Sequence, residues 1–118
     1  GGYRIQGKTD DSAALLKEAA LSLQAAGCFG LLLELVESSV AQELTEHLNI
    51  PTIGIGSGAG TSGQVLVYHD LLGLDPDFSP RHTKKYADLS GTIIQAFNQY
   101  DAEVKDGSFP GVENSFFK

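Results

Sequence analysis

Eight residues, Phe29-Gly-Leu-Leu-Leu-Glu-Leu-Val36, form a nearly continuous apolar run that carries a single charge. The run shows no alternation of apolar and polar residues, and it follows Gly27, which ends a helical pattern. A run of this kind is typical of a strand buried on both faces, as in parallel sheets covered by helices. We therefore predict an α/β chain built around this strand.

Glu34 is the one charge in this run, and it lies near the C-terminal end. Burial of a carboxylate is costly unless the group is paired, hydrogen-bonded or protonated. In parallel α/β folds, the C-terminal ends of strands are also where ligands bind and catalysis takes place. Glu34 is therefore the first candidate catalytic residue, as a general base or an orienting carboxylate. The sequence leaves open the alternative of a solvated or helix-capping Glu just past the strand.

Size and charge exclude several classes of protein. The 118 residues make at most one domain, and a hydrophobic content of 42% is that of a globular protein. The net charge of −7 argues against nucleic acid as a partner, because phosphate binding requires a cationic surface. No apolar run is long enough to cross a bilayer, which argues against a membrane partner. The single Cys28 cannot form an internal disulfide, so we expect a cytoplasmic protein.

Predicted helices and strands alternate along the rest of the chain. The lead-in over residues 1–8 is predicted as a loop, Thr9 as the N-cap of a first helix, and Gly27 as its end. A second helix is predicted from Ser38 or Ser39, with a capping box between Ser39 and Gln42. The other predicted elements are a strand over 52–56, a strand or short helix within 64–74, and a long amphipathic helix over 83–106 that ends at Gly107.

The order helix, strand, helix, strand, helix requires a parallel sheet. Two strands that are apolar on both faces cannot cover each other, and a stable sheet needs at least about three strands. We therefore predict open strand edges that are filled by other chain. The alternative is a small three-layer domain in which residues 64–68 supply the third strand.

A glycine-rich loop, Gly54 to Gly63, follows the second predicted strand. Its backbone N–H groups could approach a ligand such as a phosphate, which defines an alternative function as a stand-alone binding module. The loop lacks the spacing of a dinucleotide fingerprint, and no Lys-Ser or Lys-Thr pair follows as in a P-loop. A tight loop that needs positive φ angles is the favoured interpretation.

The remaining candidates have simpler structural explanations. His69 and Asp70 are adjacent, so their side chains point apart, and a buried, hydrogen-bonded His69 is the expectation. His47 near a helix C-terminus is explained by the helix dipole, and Cys28 by packing as a small hydrophobe. Ser57 is not in a nucleophile-elbow pattern. The His, Cys and carboxylate spacings do not predict a metal site.

Five motifs form a set that runs along nearly the whole chain. They are Gly1-Gly-Tyr-Arg-Ile-Gln-Gly-Lys8, Leu32-Leu-Glu34, Ile50-Pro-Thr-Ile-Gly-Ile-Gly56, Gly63-Gln-Val-Leu-Val67 with His69-Asp-Leu-Leu-Gly73, and Gly107-Ser-Phe-Pro110. In this order they resemble the C-terminal part of the ketopantoate hydroxymethyltransferase family, which is less than half of a usual family chain. The chain also begins with Gly and contains no Met, so we expect a piece of a longer protein or a processed product.

The resemblance implies the C-terminal part of a (β/α)8 TIM barrel of the phosphoenolpyruvate/pyruvate type, completed by other chain. Residues 1–118 would supply helix 6, strand 7, helix 7, strand 8, the C-terminal helix and the tail of one barrel domain. The implied partners are the N-terminal part of the same enzyme and further copies in a homo-oligomer. Family members occur in bacterial cytoplasm and in mitochondria, so a mitochondrial protein is the alternative location.

The implied reaction transfers a hydroxymethyl group from 5,10-methylenetetrahydrofolate to the keto acid 3-methyl-2-oxobutanoate, which gives 2-dehydropantoate for pantothenate synthesis. Glu34 falls on the family's proposed proton acceptor, at the end of strand 7. The family's Mg2+ ligands and the residues that hold the keto acid lie upstream and have no counterpart here. Enolate formation needs a metal as well as a base, so we expect the chain alone to be inactive.

Three positions depart from the family pattern. The segment Glu34-Leu-Val-Glu37 stands where the family usually has Glu-Cys-Val-Pro. Ser62 replaces an Asp that commonly precedes the Gly-Gln pair, and Asn114 replaces a His near the C-terminus. None of these changes affects Glu34 itself, whereas Ser62 bears on what the glycine-rich loop binds.

Overall fold

The computed structural model describes residues 4–118 and divides the chain into two units, Gly1–Leu66 and Val67–Lys118. Gly1-Gly-Tyr3, which belong to the predicted lead-in loop and to the first family motif, lie outside the described residues.

The first unit is a parallel α/β layer structure. Its elements are α1 (Asp10–Ala25), β1 (Leu31–Glu34), α2 (Ser38–His47), β2 (Thr52–Ile55) and β3 (Gly63–Gln64). The strands form one sheet in the order β1-β2-β3, and both pairings are parallel. The predicted parallel arrangement is thus confirmed, with a third strand of two residues added beside β2.

Helix α1 begins and ends as predicted. The Thr9 hydroxyl accepts a hydrogen bond from the Ser12 N–H at 3.3 Å, and the Ser12 hydroxyl accepts one from the Thr9 N–H at 3.0 Å. These reciprocal bonds satisfy backbone donors that a helix start otherwise leaves without a partner. Gly27 has a φ of +97°, a left-handed conformation that glycine adopts at little cost and that stops the helix.

Helix α2 is capped differently from the prediction. The carboxylate of Glu37 accepts hydrogen bonds from the N–H groups of Ser39 at 3.0 Å and Val40 at 3.1 Å. The predicted Ser39–Gln42 capping box is therefore wrong, and Gln42 instead donates to the Glu46 carboxylate at 2.9 Å. Glu37 takes over because its side chain is long enough to fold back over the first turn.

The core of the first unit lies on one face of the sheet. Its buried apolar side chains come from α1, β1, the turn after β1, and α2: they are Ala20, Leu33, Val36, Ala41, Leu44 and Leu48. Leu33 is 7% exposed, whereas its neighbour Leu32, which points to the other face, is 63% exposed. Within the first unit, α1 and α2 cover one face of the strand and leave the opposite face open, so the predicted burial of both faces is met here on one face only.

The second unit contains α3 (Tyr68–Leu72), α4 (Leu89–Asp106) and a 3₁₀ turn (Val112–Asn114). The ambiguous segment 64–74 therefore supplies both a strand residue and a short helix. Helix α4 ends at Asp106, before Gly107 with its φ of +79°, as predicted. It begins at Leu89, six residues after the predicted start at Thr83. The segment before it is not helical because the Tyr86 N–H donates to the Leu71 carbonyl at 2.8 Å and the Thr83 N–H to the Pro80 carbonyl at 3.0 Å.

Candidate functional site

Glu34 is the last residue of β1, at the C-terminal end of a parallel strand, as the sequence predicted. It is opposite Ile55 of β2 in the register, and its side chain is exposed. Because side chains alternate along a strand, Glu34 shares its face with Leu32, and the parallel register places Ile53 beside Leu32 on that face. The result is a carboxylate at the C-terminal rim of an open, otherwise apolar sheet face.

The backbone turns sharply immediately after Glu34. Leu35 has a φ of +52°, the only positive φ among the described residues that are not glycine. Its N–H donates to the Ile55 carbonyl at 2.9 Å, and its carbonyl accepts from the Gln6 N–H at 2.7 Å. A left-handed conformation costs an L-residue about 1–2 kcal/mol, so these bonds hold a strained turn in place.

Ser57 lies behind this turn and is a site residue that the sequence interpretation missed. It is fully buried, and its hydroxyl donates to the Leu33 carbonyl at 2.7 Å and accepts from the Val36 N–H at 3.1 Å. The two bonded groups belong to the residues on either side of Glu34-Leu35. The residues around Ser57 do not form a nucleophile-elbow pattern, and a serine in a sequence carries no signal for a backbone clamp.

The glycine-rich loop packs against the start of α2. A Cβ on Gly58 would stand 2.6 Å from the Ser38 hydroxyl, and a Cβ on Gly60 would stand 2.6 Å from the Cβ of Gln42. Gly58 also has a φ of +78°, as expected for a tight loop. These glycines are thus required by close packing within the chain, which gives the loop a structural role that needs no phosphate ligand. The Glu37 carboxylate at the α2 N-terminus further disfavours an anion there.

A second hydroxyl network ties the loop to β2. The buried Thr52 exchanges hydrogen bonds with the exposed Ser62: the Thr52 N–H donates to the Ser62 hydroxyl at 3.1 Å, and the Ser62 N–H donates to the Thr52 hydroxyl at 3.2 Å. The Thr45 hydroxyl of α2 lies 2.7 Å from the Thr52 hydroxyl. Ser62, one of the departures from the family pattern, therefore closes the loop onto the strand.

The other sequence candidates have simple local surroundings. The ring Nδ1 of His47 lies 2.7 Å from the Glu43 carbonyl, in agreement with its helix-terminal position. Cys28 is half-buried. His69 is exposed, so the expectation of a buried histidine is wrong; its ring centroid lies 4.0 Å from that of Tyr68 on the short surface helix α3.

Two carboxylates of the first unit are tuned by their neighbours. The Ser39 hydroxyl and then the Val40 N–H lower the pKa of Glu37 from its ordinary value. The hydrogen bond and charge of Lys17 lower the pKa of Glu43, and this ion pair links α1 to α2. Both groups are at the surface and stabilise helix geometry.

The described part of the chain offers no ligand set for a metal. Over residues 4–118, no group of three or more His, Cys, Asp or Glu side chains is arranged to hold an ion. The Mg2+ that the family resemblance implies therefore does not fit these residues. None of the helices within residues 4–118 is both long and apolar enough to cross a membrane.

Comparison with known proteins gives one consistent result. The family model described as ketopantoate hydroxymethyltransferase matches residues 1–112. Proteins named 3-methyl-2-oxobutanoate hydroxymethyltransferase are 54% identical in Thermotoga sp. (strain RQ2) and 53% identical in Kosmotoga olearia, each over 98% of this chain and 43% of the relative. The relative from Chloroflexus aurantiacus is 54% identical over 97% of this chain and 41% of its own length. The chain therefore spans less than half of these relatives, and it belongs to the ketopantoate hydroxymethyltransferase family.

Proposed function

We propose that the chain forms part of an enzyme that transfers a hydroxymethyl group from 5,10-methylenetetrahydrofolate to 3-methyl-2-oxobutanoate, with Glu34 as the general base. The family membership supports a hydroxymethyltransferase of pantothenate biosynthesis. Because the chain spans 43% of such relatives, the complete activity is proposed for the assembled enzyme, and the chain alone is proposed to be inactive.

One observation carries the proposal: a carboxylate stands at the C-terminal end of a parallel strand, on the sheet face that the helices leave open. In a doubly wound sheet, helices cover both faces. Here α1 and α2 cover one face, while Leu32 at 63% exposure and Ile53 at 37% exposure remain open on the other. This is the pattern of a barrel sector, in which the open face becomes the filled interior and the strand ends form the active site.

The edge of β1 supports completion by other chain. Among residues 4–118, β1 pairs with β2 along its length, and its other edge is approached only through a single parallel bridge between Gln6 and Val36. The chain at Gln6 therefore runs parallel to the segment at Val36, at the edge where a preceding barrel strand is expected. We propose that residues 1–118 correspond to helix 6, strand 7, helix 7, strand 8, the C-terminal helix and the tail of one barrel domain, and that the N-terminal part of the enzyme supplies the other strands.

Glu34 has the chemistry that the first step needs. The C3–H bond of the keto acid breaks, its proton moves to a carboxylate oxygen of Glu34, and the electron pair enters the C2–C3 enolate. C3 then forms a bond to the one-carbon unit as the C2 carbonyl re-forms; the carbon–nitrogen bonds to tetrahydrofolate break, and water supplies the hydroxyl oxygen. The apolar side chains beside Glu34 suit the branched hydrocarbon end of this substrate and exclude water from the enolate. Since residues 4–118 do not fit a divalent cation, we assign Mg2+ binding to the remaining part of the enzyme.

Helix α4 supports a further proposal, that the enzyme is a homo-oligomer. One face along the length of this helix is apolar and exposed, with Phe97 at 69% and Tyr100 at 55% exposure. Contact with another copy would remove these rings from water. Sedimentation of the complete enzyme as a monomer would contradict this assignment.

The base assignment is tested by the Glu34→Gln variant of the complete enzyme. Because Gln cannot accept the C3 proton, we expect turnover to fall by a factor on the order of 10²–10⁴. Exchange of the C3 proton of 3-methyl-2-oxobutanoate with D2O, followed by NMR without folate, should fall in parallel.

The matched control is Glu18→Gln, which removes an exposed carboxylate on α1 and should leave both rates unchanged. Turnover of Glu34→Gln within a few-fold of the wild-type enzyme would refute the general-base role. Absence of both activities from the wild-type complete enzyme would refute the proposed function as a whole.

A further inference from the structure

We propose that Ser57 is a positioning residue for Glu34, which rests on the proposed function. Its buried hydroxyl clamps the backbone that carries the base. The clamp holds the carboxylate in the geometry for proton removal, although Ser57 itself lies behind the strand and is not required to touch substrate.

The hydroxyl makes two bonds that only a combined donor and acceptor can make. It donates to the Leu33 carbonyl at 2.7 Å, before Glu34, and accepts from the Val36 N–H at 3.1 Å, after the turn. A weaker contact of 3.4 Å reaches the Ile55 carbonyl of the neighbouring strand. Ser57 is fully buried, so water does not compete for these groups.

The backbone ladder cannot provide this clamp. The regular pairing of β1 with β2 ends where the Leu35 N–H meets the Ile55 carbonyl. Beyond Ile55, the chain turns away at Gly56, which has a φ of +65°. The Val36 N–H is therefore left for a side chain to satisfy, and a buried N–H without a partner costs about 1–3 kcal/mol.

The strain at Leu35 makes the clamp relevant to catalysis. A left-handed residue next to the base relaxes toward ordinary φ values unless both flanks are held, and such relaxation rotates the peptide between Glu34 and Leu35. Rotation there displaces the carboxylate. Misplacement of a reacting group by about 1 Å is able to cost up to 100-fold in rate, with little change in substrate binding.

The test compares Ser57→Ala and Ser57→Cys with Thr45→Val in the complete enzyme. Ser57→Ala removes both bonds, and Ser57→Cys retains a weak donor and acceptor of similar size. We expect kcat and C3-proton exchange to fall by about three- to tenfold in Ser57→Ala and less in Ser57→Cys, with KM nearly unchanged. Thr45→Val removes a half-buried hydroxyl bond of the same unit, away from Glu34, and should lower the unfolding temperature without lowering kcat.

The outcomes separate this inference from the proposed function. Equal kcat values for Ser57→Ala, Ser57→Cys and wild type, in an enzyme that Glu34→Gln inactivates, would overturn the role of Ser57 alone. A parallel loss of kcat in Thr45→Val would show a general structural effect and would also overturn it. If Ser57→Ala does not fold, Ser57→Cys is the deciding variant. The proposal expects its kcat to fall while its KM stays nearly unchanged, and an unchanged kcat contradicts the proposal.

Discussion

At the scale of single residues, the proposed site depends on backbone conformation as much as on the acid itself. Glu34 was predictable because a lone charge in an apolar run is conspicuous. Leu35 and Ser57 were not, since a leucine gives no sequence signal for a φ of +52° and a serine gives none for a buried clamp. The roles of Leu35 and Ser57 depend on contacts between strand β1 and the loop after β2, which only the folded structure shows.

The glycines of the loop give a prediction at the same scale. Gly58→Ala places a Cβ 2.6 Å from the Ser38 hydroxyl, at a position with a φ of +78°. The free-energy cost of the strained backbone therefore adds to the cost of overpacking. We expect a loss of about 2–4 kcal/mol in the free energy of unfolding, measured by urea denaturation.

Gly27→Ala is the control for strain alone, because its φ of +97° is also positive but no atom lies within 4 Å of the added Cβ. It should lose about 1–2 kcal/mol. Equal losses in the two variants would show that the loop does not pack against α2 as described.

At the scale of elements, hydrogen bonds formed by particular side chains set where helices begin. The apolar periodicity located α1, α2 and most of α4, and Gly27 and Gly107 marked two helix ends correctly. The start of α4 was misplaced because residues 83–88 have a helical pattern while their backbone donates elsewhere. The start of α2 was assigned to the wrong cap because Glu is an uncommon N-cap and its folded-back carboxylate depends on rotamer.

The Glu37 cap predicts a pH dependence. Hydrogen bonds from Ser39 and Val40 lower the pKa of Glu37 below its ordinary value of 4.5, so its contribution to stability is present above pH 4.5. It is lost as the pH falls through the lowered folded-state pKa. We expect Glu37→Gln to unfold at a lower temperature than the wild type at pH 7, with the difference shrinking below pH 4.5.

Thermal unfolding by circular dichroism from pH 3 to pH 7 measures this difference. The Glu18→Gln variant, which removes an exposed carboxylate of α1 outside any cap, serves as the control for net charge. A difference between Glu37→Gln and wild type that stays constant across this range would contradict the cap assignment.

At the scale of the whole molecule, the first unit is a sheet that its helices cover on one face only. Helices α1 and α2 bury Leu33, and the face with Leu32, Ile53 and Glu34 is not covered by the described elements of this unit. Apolar surface of this kind is normally removed from water by further protein. This agrees with a chain that spans 43% of its family relatives.

The open face predicts that one substitution behaves differently in two contexts. In the 118-residue chain, Leu32→Ala should change the free energy of unfolding by less than about 1 kcal/mol, because Leu32 is 63% exposed. In the complete enzyme, where we propose that this face is the barrel interior, the same change should cost about 2–5 kcal/mol.

Leu33→Ala is the matched control, since Leu33 is 7% exposed and should be costly in both contexts, by about 2–5 kcal/mol. Denaturant unfolding of both proteins gives the four values. A small effect of Leu32→Ala in the complete enzyme would rule out the barrel-interior assignment.

The sequence by itself determined the parallel α/β architecture, the strand around Leu31–Glu34, the family, and Glu34 as the residue to examine. Periodicity, helix-ending glycines and a charge in an apolar run are local signals. They can be recognised from residues close together in sequence, without the folded structure. Only the tertiary structure decided which face of that strand is covered, why Gly58 and Gly60 cannot carry a side chain, and that Ser57 clamps the turn after Glu34. Each of these depends on contacts between residues far apart in sequence, and a linear pattern does not encode which distant atoms meet.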